Sequence, residues 1–177
     1  SLSGVSSTQL YLAVNKVARN PIRVDADEVT YNLHVILRFE LEQALFNGDL
    51  KVTELPYAWC AKAEKLLGLT PANDTEGVLQ DVHWSSGAFG YFPSYCLGNL
   101  LAAQLWDAAK LDLSNIHEEM EAGQHEALLS WLGDKVHCHG RKFNLLQLAE
   151  VATSQNLSSQ ALLNYLENRY LSLYETA

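Results

Sequence analysis

The sequence predicts an all-α fold of about seven helices joined by short loops, within a single helical domain covering residues 1–177. Apolar residues recur at helical spacing along most of the chain, whereas no alternating stretch of useful length predicts a strand. Glycines and prolines stand where helices would end or begin. With 177 residues, 48% of them apolar, the chain is long enough to bury one core.

The first two helices are predicted on either side of Pro21. Residues 6–9 offer a capping box for a short helix. Asp25 to Asp27 are expected to cap a long helix that stops at Gly48. The apolar stripe of that long helix consists of Leu33, Leu37, Leu41, Ala44 and Leu45.

The third and fourth helices are predicted from their boundary residues. Pro56 can open a helix that Gly68 closes. Its inward residues are expected to be Ala58, Ala61 and Leu66. Asn73 and Asp74 can cap a short helix over residues 75–82, and the loop after it contains Gly87 and Gly90.

The second half of the chain continues the helical pattern. A strongly apolar helix is expected over residues 97–111. Ser114 opens the next helix, and Gly140 ends that region of the chain. A short helix follows over 145–151, and Ser158 precedes the last. One face of the last helix carries Leu162, Tyr165, Leu166, Tyr170 and Leu173.

Charge and cysteine content exclude several classes of function. The net charge is −9, from 12 basic and 21 acidic residues, which disfavours nucleic acid and anionic membranes as partners. No apolar run reaches the roughly 18 residues of a membrane span and no signal peptide opens the chain, so a cytoplasmic protein is expected. Three widely spaced cysteines argue against a disulfide framework. His137-Cys138-His139 lacks the spacing of a chelating helical pair and is interpreted as a helix end.

The first polar block, residues 21–31, places Arg23 just before the long helix. An arginine fork and helix N-terminal amides together suit a peptide's C-terminal carboxylate. The alternative is that Arg23 pairs with Asp25, Asp27 or Glu28. Tyr31, His34 and Arg38 share one face of the helix and either line a cleft or form a half-buried interface with satisfied polar tips.

The second polar block, residues 77–84, places Gln80 and His83 three residues apart, so that both can point the same way. This pair is a poor metal-binding set but a fair reader of peptide backbone. Asp81 points elsewhere and is expected to cap or to orient a neighbour. The glycine- and aromatic-rich segment 85–95 either forms the walls of an apolar pocket or is a turn that packs the core.

These blocks resemble signature segments of a known family. The first reads I-R-x-x-A-D-E-x-T-Y and the second G-x-x-Q-D-x-H-W, in that order. They resemble the Taq-type HEXXH zinc metallocarboxypeptidases, and the segments after residue 89 and near the C-terminus also look like that family. The resemblance implies the C-terminal part of a larger all-α, cytoplasmic hydrolase that removes single residues from peptide C-termini.

The resemblance also implies a zinc ion held by two histidines of H-E-x-x-H and a later glutamate, with the glutamate of the motif as general base. This chain contains no H-E-x-x-H, and residues 117–121 carry glutamate where the second histidine would stand. We therefore expect no metal site and no cofactor in this chain, and no activity from it alone.

The resemblance also implies roles for individual residues of the two polar blocks. Tyr31 would be catalytic through a hydrogen bond to the substrate or the tetrahedral intermediate, and Arg23 would bind the substrate's C-terminal carboxylate. The other substrate-binding residues would be Gln80, His83 and His34. The supporting residues would be Asp27, Glu28, Asp81 and Trp84.

Three functions remain open at this stage. The first is the substrate-side part of a zinc metallocarboxypeptidase. The second is a non-catalytic helical module that binds peptide C-termini or a protein partner. The third is an interaction domain in which the polar residues are structural. The expected partners of the chain are peptide C-termini and the missing N-terminal catalytic part. An exposed apolar patch rimmed by Arg23, Tyr31 and His34 would favour a homodimer.

Overall fold

The computed structural model describes residues 3–175, and all regular structure in that range is helical, which confirms the all-α fold class. The chain forms two compact units, Ser1–Cys96 and Leu97–Ala177. Whether they fold as the single domain expected from the sequence stays a prediction. Within the described residues, no helix is both long and apolar enough to cross a membrane.

The helices of the described residues differ widely in length. The α-helices are α1 Ser7–Val14, α2 Tyr31–Asn47, α3 Leu55–Leu67, α4 Pro93–Asp112, α5 Ile116–Glu121, α6 Glu126–Lys135, α7 Leu145–Thr153, α8 Gln160–Leu166 and α9 Ser172–Glu175. Short 3₁₀ turns lie at Arg23–Asp25, Val52–Glu54 and His137–His139, and Glu167–Leu171 forms a π turn.

The core of the first unit lies between α2 and α3. Leu37 and Leu41 of α2, from the predicted stripe, pack with residues of α3. The buried residues that α3 contributes are Leu55, Trp59, Ala63 and Leu67. The prediction for α3 was wrong at Ala61, which is exposed, because the large ring of Trp59 sets the buried face.

The predicted ends of these two helices are confirmed. Gly48 follows α2 with φ +80°, a left-handed conformation in which most other residues are strained. Pro56 lies in the first turn of α3 and Gly68 caps its end. The predicted start of α2 was early, because the helix begins at Tyr31 and the side chain of Asp27 caps the turn before it.

The predicted helix over 75–82 was wrong. The segment is a series of turns, in which the amides of Gly77 and Leu79 donate to the carbonyls of Asn73 and Asp74. Gly77 lowers the helical propensity of the segment. Its side chains instead bond across to the first polar block, so tertiary contacts determine its conformation.

The second unit has a smaller core built around Ala109, Ile116 and Trp131. The helix predicted from Ser114 is two helices, α5 and α6, because Gly123 between them has φ +74°. Gln104 is buried and donates to the Thr153 hydroxyl at 2.9 Å, which ties α4 to the end of α7.

The last predicted helix is interrupted. The π turn separates α8 from α9, and two residues of the face predicted from the sequence are buried, Leu162 in α8 and Tyr170 in the π turn.

Candidate functional site

The two polar blocks meet inside the first unit through the side chain of Gln80. Its Oε1 accepts a hydrogen bond from the backbone N–H of Arg23 at 2.8 Å. Its Nε2 donates to the carbonyls of Pro21 at 2.9 Å and Glu76 at 2.6 Å. The bonds to Arg23 and Pro21 join the blocks, whereas the bond to Glu76 stays within the segment of Gln80 itself, so the residue holds Arg23 in place through its main chain.

Asp81 is the centre of the site and binds two arginines. Its Oδ1 accepts from Arg23 Nη2 at 2.7 Å and from Nε at 3.1 Å. Its Oδ2 accepts from Arg38 Nε at 2.6 Å. The partner of Arg23 is therefore an aspartate 58 residues further along the chain, not one of the acidic residues beside it. The predicted role of Asp81 as a supporting residue that orients its neighbours stays a prediction.

Arg23 retains hydrogen-bonding capacity although its side chain is only 8% exposed. A guanidinium carries five N–H donors. Asp81 accepts from Nε and Nη2, and the Tyr31 hydroxyl accepts from Nη1 at 2.9 Å. Within the described residues these bonds use three donors, so each terminal nitrogen keeps one N–H for a further acceptor.

The charges of the cluster do not cancel. Two guanidinium groups face the single carboxylate of Asp81, which leaves a surplus of one positive charge. Burial acts to raise the pKa of Asp81, but the hydrogen bonds and charges of Arg23 and Arg38 outweigh it and hold that pKa below its usual range. Asp81 therefore stays ionised at neutral pH.

The two arginines respond differently to the same partner. Burial acts to lower the pKa of Arg23, but the hydrogen bond and charge of Asp81 outweigh it and the pKa is raised. Burial lowers the pKa of Arg38 to about 10, because Arg38 is more deeply buried and Asp81 offsets only part of that cost. Both remain cationic at neutral pH.

His34 lies in the interior, one turn before Arg38 on α2. It is 1% exposed, and its Nε2 has no hydrogen-bond partner among the described residues. Burial, followed by the charges of Arg38 and Arg23, lowers the pKa of His34 to about 4. The ring is therefore neutral at physiological pH, and its role in substrate binding stays a prediction.

His83 is held by aromatic neighbours. Its Nε2 lies 3.0 Å from the Tyr95 hydroxyl, and its ring centroid lies 4.3 Å from that of Phe92. Its Nδ1 lies 3.8 Å from Asp81 Oδ1. The predicted substrate-binding histidine is thus beside the carboxylate that holds Arg23, and part of the aromatic segment 85–95 packs against it.

Glu42 forms a second polar contact on α2 that the sequence analysis did not identify. Its carboxylate accepts from the indole N–H of Trp84 at 2.7 Å and from the backbone N–H of Gly90. Glu42 and Arg38 are one helical turn apart and both are buried. Two residues of opposite charge, one helical turn apart beside an apolar stripe, were the feature of the sequence from which a second polar contact on α2 could have been predicted. Trp84, predicted to be a supporting residue, ties the second block to α2.

The remaining supporting residues bond to the main chain or lie outside the cluster. Asp27 accepts from the amides of Val29, Thr30 and Ala18, so it occupies two of the amides that were expected to attract a substrate carboxylate. Glu28 is exposed. The prediction that Arg23, Tyr31 and His34 rim an exposed apolar patch was wrong for Arg23 and His34, because both are buried.

No group of three or more His, Cys, Asp or Glu side chains in the described range is arranged to hold a metal ion. His137 and Cys138 are exposed, and the Cys138 thiol donates to the carbonyl of Asp134. The described residues thus do not fit the zinc site that the family resemblance implies, and no step at a metal is assigned to them.

Comparisons with known proteins agree with the signature blocks. A model of the carboxypeptidase Taq (M32) metallopeptidase family matches residues 1–170. Thermostable carboxypeptidase 1 of Thermus thermophilus is 44% identical over 174 residues, which cover 98% of this chain and 34% of that protein. Carboxypeptidase 1 of Bacillus subtilis is 43% identical over 170 residues, which cover 96% of this chain and 34% of that protein.

A solved structure gives the same result. The M32 carboxypeptidase from Deinococcus radiodurans R1 matches with a TM-score of 0.94 and 43% identity, over 98% of this chain and 35% of that chain. This chain thus spans about a third of the length of the relatives it matches. Because the family model covers nearly all of its residues, the chain belongs to the carboxypeptidase Taq (M32) metallopeptidase family.

Proposed function

We propose that this chain is the substrate-side part of a cytoplasmic zinc metallocarboxypeptidase that releases single residues from peptide C-termini. The metal ligands and the general base would belong to the remaining part of the protein. Family membership supports the reaction class, and the coverage of about a third of each relative supports the division of roles. The chain alone would be inactive.

The observation that carries the proposal is that the Arg23 guanidinium is held in place and still has N–H groups without an acceptor among the described residues. Asp81 and Tyr31 hold it, and one N–H remains on each terminal nitrogen. N–H groups on the two terminal nitrogens of a guanidinium can bind the two oxygens of a carboxylate. The surplus positive charge of the Arg23, Asp81 and Arg38 cluster favours an anion at the same place. The C-terminal carboxylate of a peptide meets both requirements.

Tyr31 has a second role in this proposal. Its hydroxyl oxygen accepts from Arg23, so its own O–H is left to donate. A donor beside the bound carboxylate would hydrogen-bond the substrate or the oxyanion that develops at the scissile carbonyl. His83, with its partner Tyr95, would also contact the substrate, Gln80 would contribute by holding the main chain of Arg23, and His34 would support the cluster from the interior.

Complementation tests this function. The chain would be mixed with the separately produced preceding part of the Bacillus subtilis relative and zinc, and release of the C-terminal residue from a blocked dipeptide would be followed. We expect chelator-sensitive activity in the mixture and none from either part. The Arg23→Ala chain would be expected to restore far less activity, whereas Arg19→Ala, at an exposed arginine of the same unit, serves as the matched control.

Lack of activity from parts shown to bind each other would contradict the proposal. It would favour the alternative, a non-catalytic helical module that binds peptide C-termini or a protein partner. That module would still bind a free C-terminal carboxylate, and Arg23→Ala would abolish the binding.

The partners are part of the same proposal: peptide C-termini, the N-terminal catalytic part and a second copy of this chain. Three apolar side chains of the polar blocks, Val24, Leu79 and Val82, are at least 70% exposed. Exposed apolar side chains of this kind favour association. Light scattering of the isolated chain is therefore expected to show dimers at high concentration, and a monodisperse monomer would contradict this.

A further inference from the structure

Arg38 occupies a position that the role of Arg23 does not by itself explain. The shortest bonds to the two oxygens of Asp81 come from different arginines: Oδ1 accepts from Arg23 Nη2 at 2.7 Å, and Oδ2 accepts from Arg38 Nε at 2.6 Å. Arg23 Nε lies between them and reaches Oδ1 at 3.1 Å and Oδ2 at 3.4 Å. Arg38 therefore contacts the opposite side of the carboxylate that holds Arg23. Any shift of Arg38 moves the acceptor on which Arg23 depends.

Arg38 is itself held from several directions. Its side chain is 0% exposed, and its Nη1 donates to the His34 carbonyl at 2.8 Å. Its guanidinium carbon lies 4.7 Å from the ring centroid of Trp59 and 5.5 Å from that of Phe92, within the range of cation–π attraction. These contacts come from two helices and the aromatic segment, so the position of the guanidinium is determined by the core of the unit.

Arg38 also determines the charge that a ligand would meet. Without it, Asp81 would neutralise Arg23 and the cluster would carry no net charge. With it, the surplus positive charge remains although Arg23 is paired. A buried arginine without this role would be a costly feature, because burying a charge requires compensation from its partners.

We propose that Arg38 is a positioning residue for recognition of the substrate carboxylate. It holds Asp81 by Oδ2, so that Asp81 binds Arg23 along its Nε and Nη2 edge and leaves one N–H on each terminal nitrogen for the substrate. It also keeps the cluster cationic. This inference rests on the proposed function of Arg23 as the group that binds the carboxylate.

The first test measures Arg23 in the isolated chain and needs no activity. The side-chain Nε–H signal of Arg23 would be observed by nitrogen-15 NMR, assigned by its loss in Arg23→Ala, and its exchange with water measured. In Arg38→Met the rate at which the Arg23 Nε–H proton exchanges with water is expected to rise about tenfold, because its charge-assisted hydrogen bond to Asp81 is weakened. Arg38→Lys keeps the charge but lacks the fork, and a smaller rise is expected.

Arg19→Met provides the control, because Arg19 is exposed and donates to the Gly68 carbonyl in the same unit. It should leave the Arg23 signal unchanged. If Arg38→Met does not fold, Arg38→Lys carries the test. A signal with wild-type shift and exchange in the folded Arg38 variants would overturn the proposal, whatever the function of Arg23.

The second test uses the reconstituted mixture and a blocked dipeptide with a free C-terminal carboxylate. Arg38→Met is expected to raise KM about tenfold and to change kcat much less, because the bond that is weakened lies at the carboxylate. A fall in kcat with KM unchanged would indicate a structural role and overturn the proposal. Unchanged KM in Arg23→Ala would instead contradict the proposed function, so the two failures are distinguishable.

Discussion

Replacing Asp81 by asparagine should destabilise the first unit strongly. The substitution removes the one carboxylate that two buried guanidinium groups share, and the three side chains are 8% (Arg23), 0% (Arg38) and 11% (Asp81) exposed. Breaking a buried ion pair by removing one partner typically costs about 3–5 kcal/mol, since the other charge stays buried without compensation. Asparagine retains one acceptor oxygen, so we expect a loss near the lower end, about 3 kcal/mol.

Urea unfolding followed by circular dichroism would measure this loss. For a chain of this size a loss of about 3 kcal/mol corresponds to a fall in Tm of roughly 10 °C. Asp49→Asn, at an exposed aspartate of the same unit, is the matched control and should stay within about 0.5 kcal/mol of wild type. If Asp81→Asn unfolds as the control does, the argument that Asp81 compensates two buried charges is refuted.

Two further outcomes are expected. His34 has a pKa of about 4 in the folded chain, below its ordinary value of 6.5, so the unfolded chain takes up a proton first as the pH falls. The stability present above pH 6.5 should decline by up to about 3 kcal/mol between pH 6.5 and 4. His34→Leu should remove most of that dependence, and equal slopes in both chains would contradict the assignment. Trp84→Phe removes the indole donor to Glu42 and should cost about 1–3 kcal/mol in urea unfolding, whereas a cost below about 0.5 kcal/mol would show that this bond is not needed.

Local patterns were sufficient to predict most helices of the chain. The stripe through Leu37 and Leu41 and the stop at Gly48 are properties of short stretches, and the structure has them as predicted. The helix expected over 75–82 failed because Gln80 and Asp81 bond to a distant segment, which no local pattern records.

The sequence was sufficient to predict which segments form the site, but not which of their side chains bond to one another. Both polar blocks could be recognised from the sequence, and they do meet. The pairing of Asp81 with Arg23 and Arg38 spans 58 and 43 residues, so it depends on how the turns after α3 fold back onto α2. The acidic residues next to Arg23 were the nearer alternative, and Asp27 instead bonds to backbone amides.

The most direct test of the account compares two ligands that differ in one group. A blocked dipeptide with a free C-terminal carboxylate and its amide would be titrated calorimetrically into the reconstituted mixture, with the metal chelated so that no residue is released. We expect the acid to bind about 10- to 100-fold more tightly than the amide, the range for a charge-assisted pair, and Arg23→Ala to abolish the difference. Equal binding of acid and amide by the wild-type chain would contradict the central claim that Arg23, held by Asp81, recognises the C-terminal carboxylate.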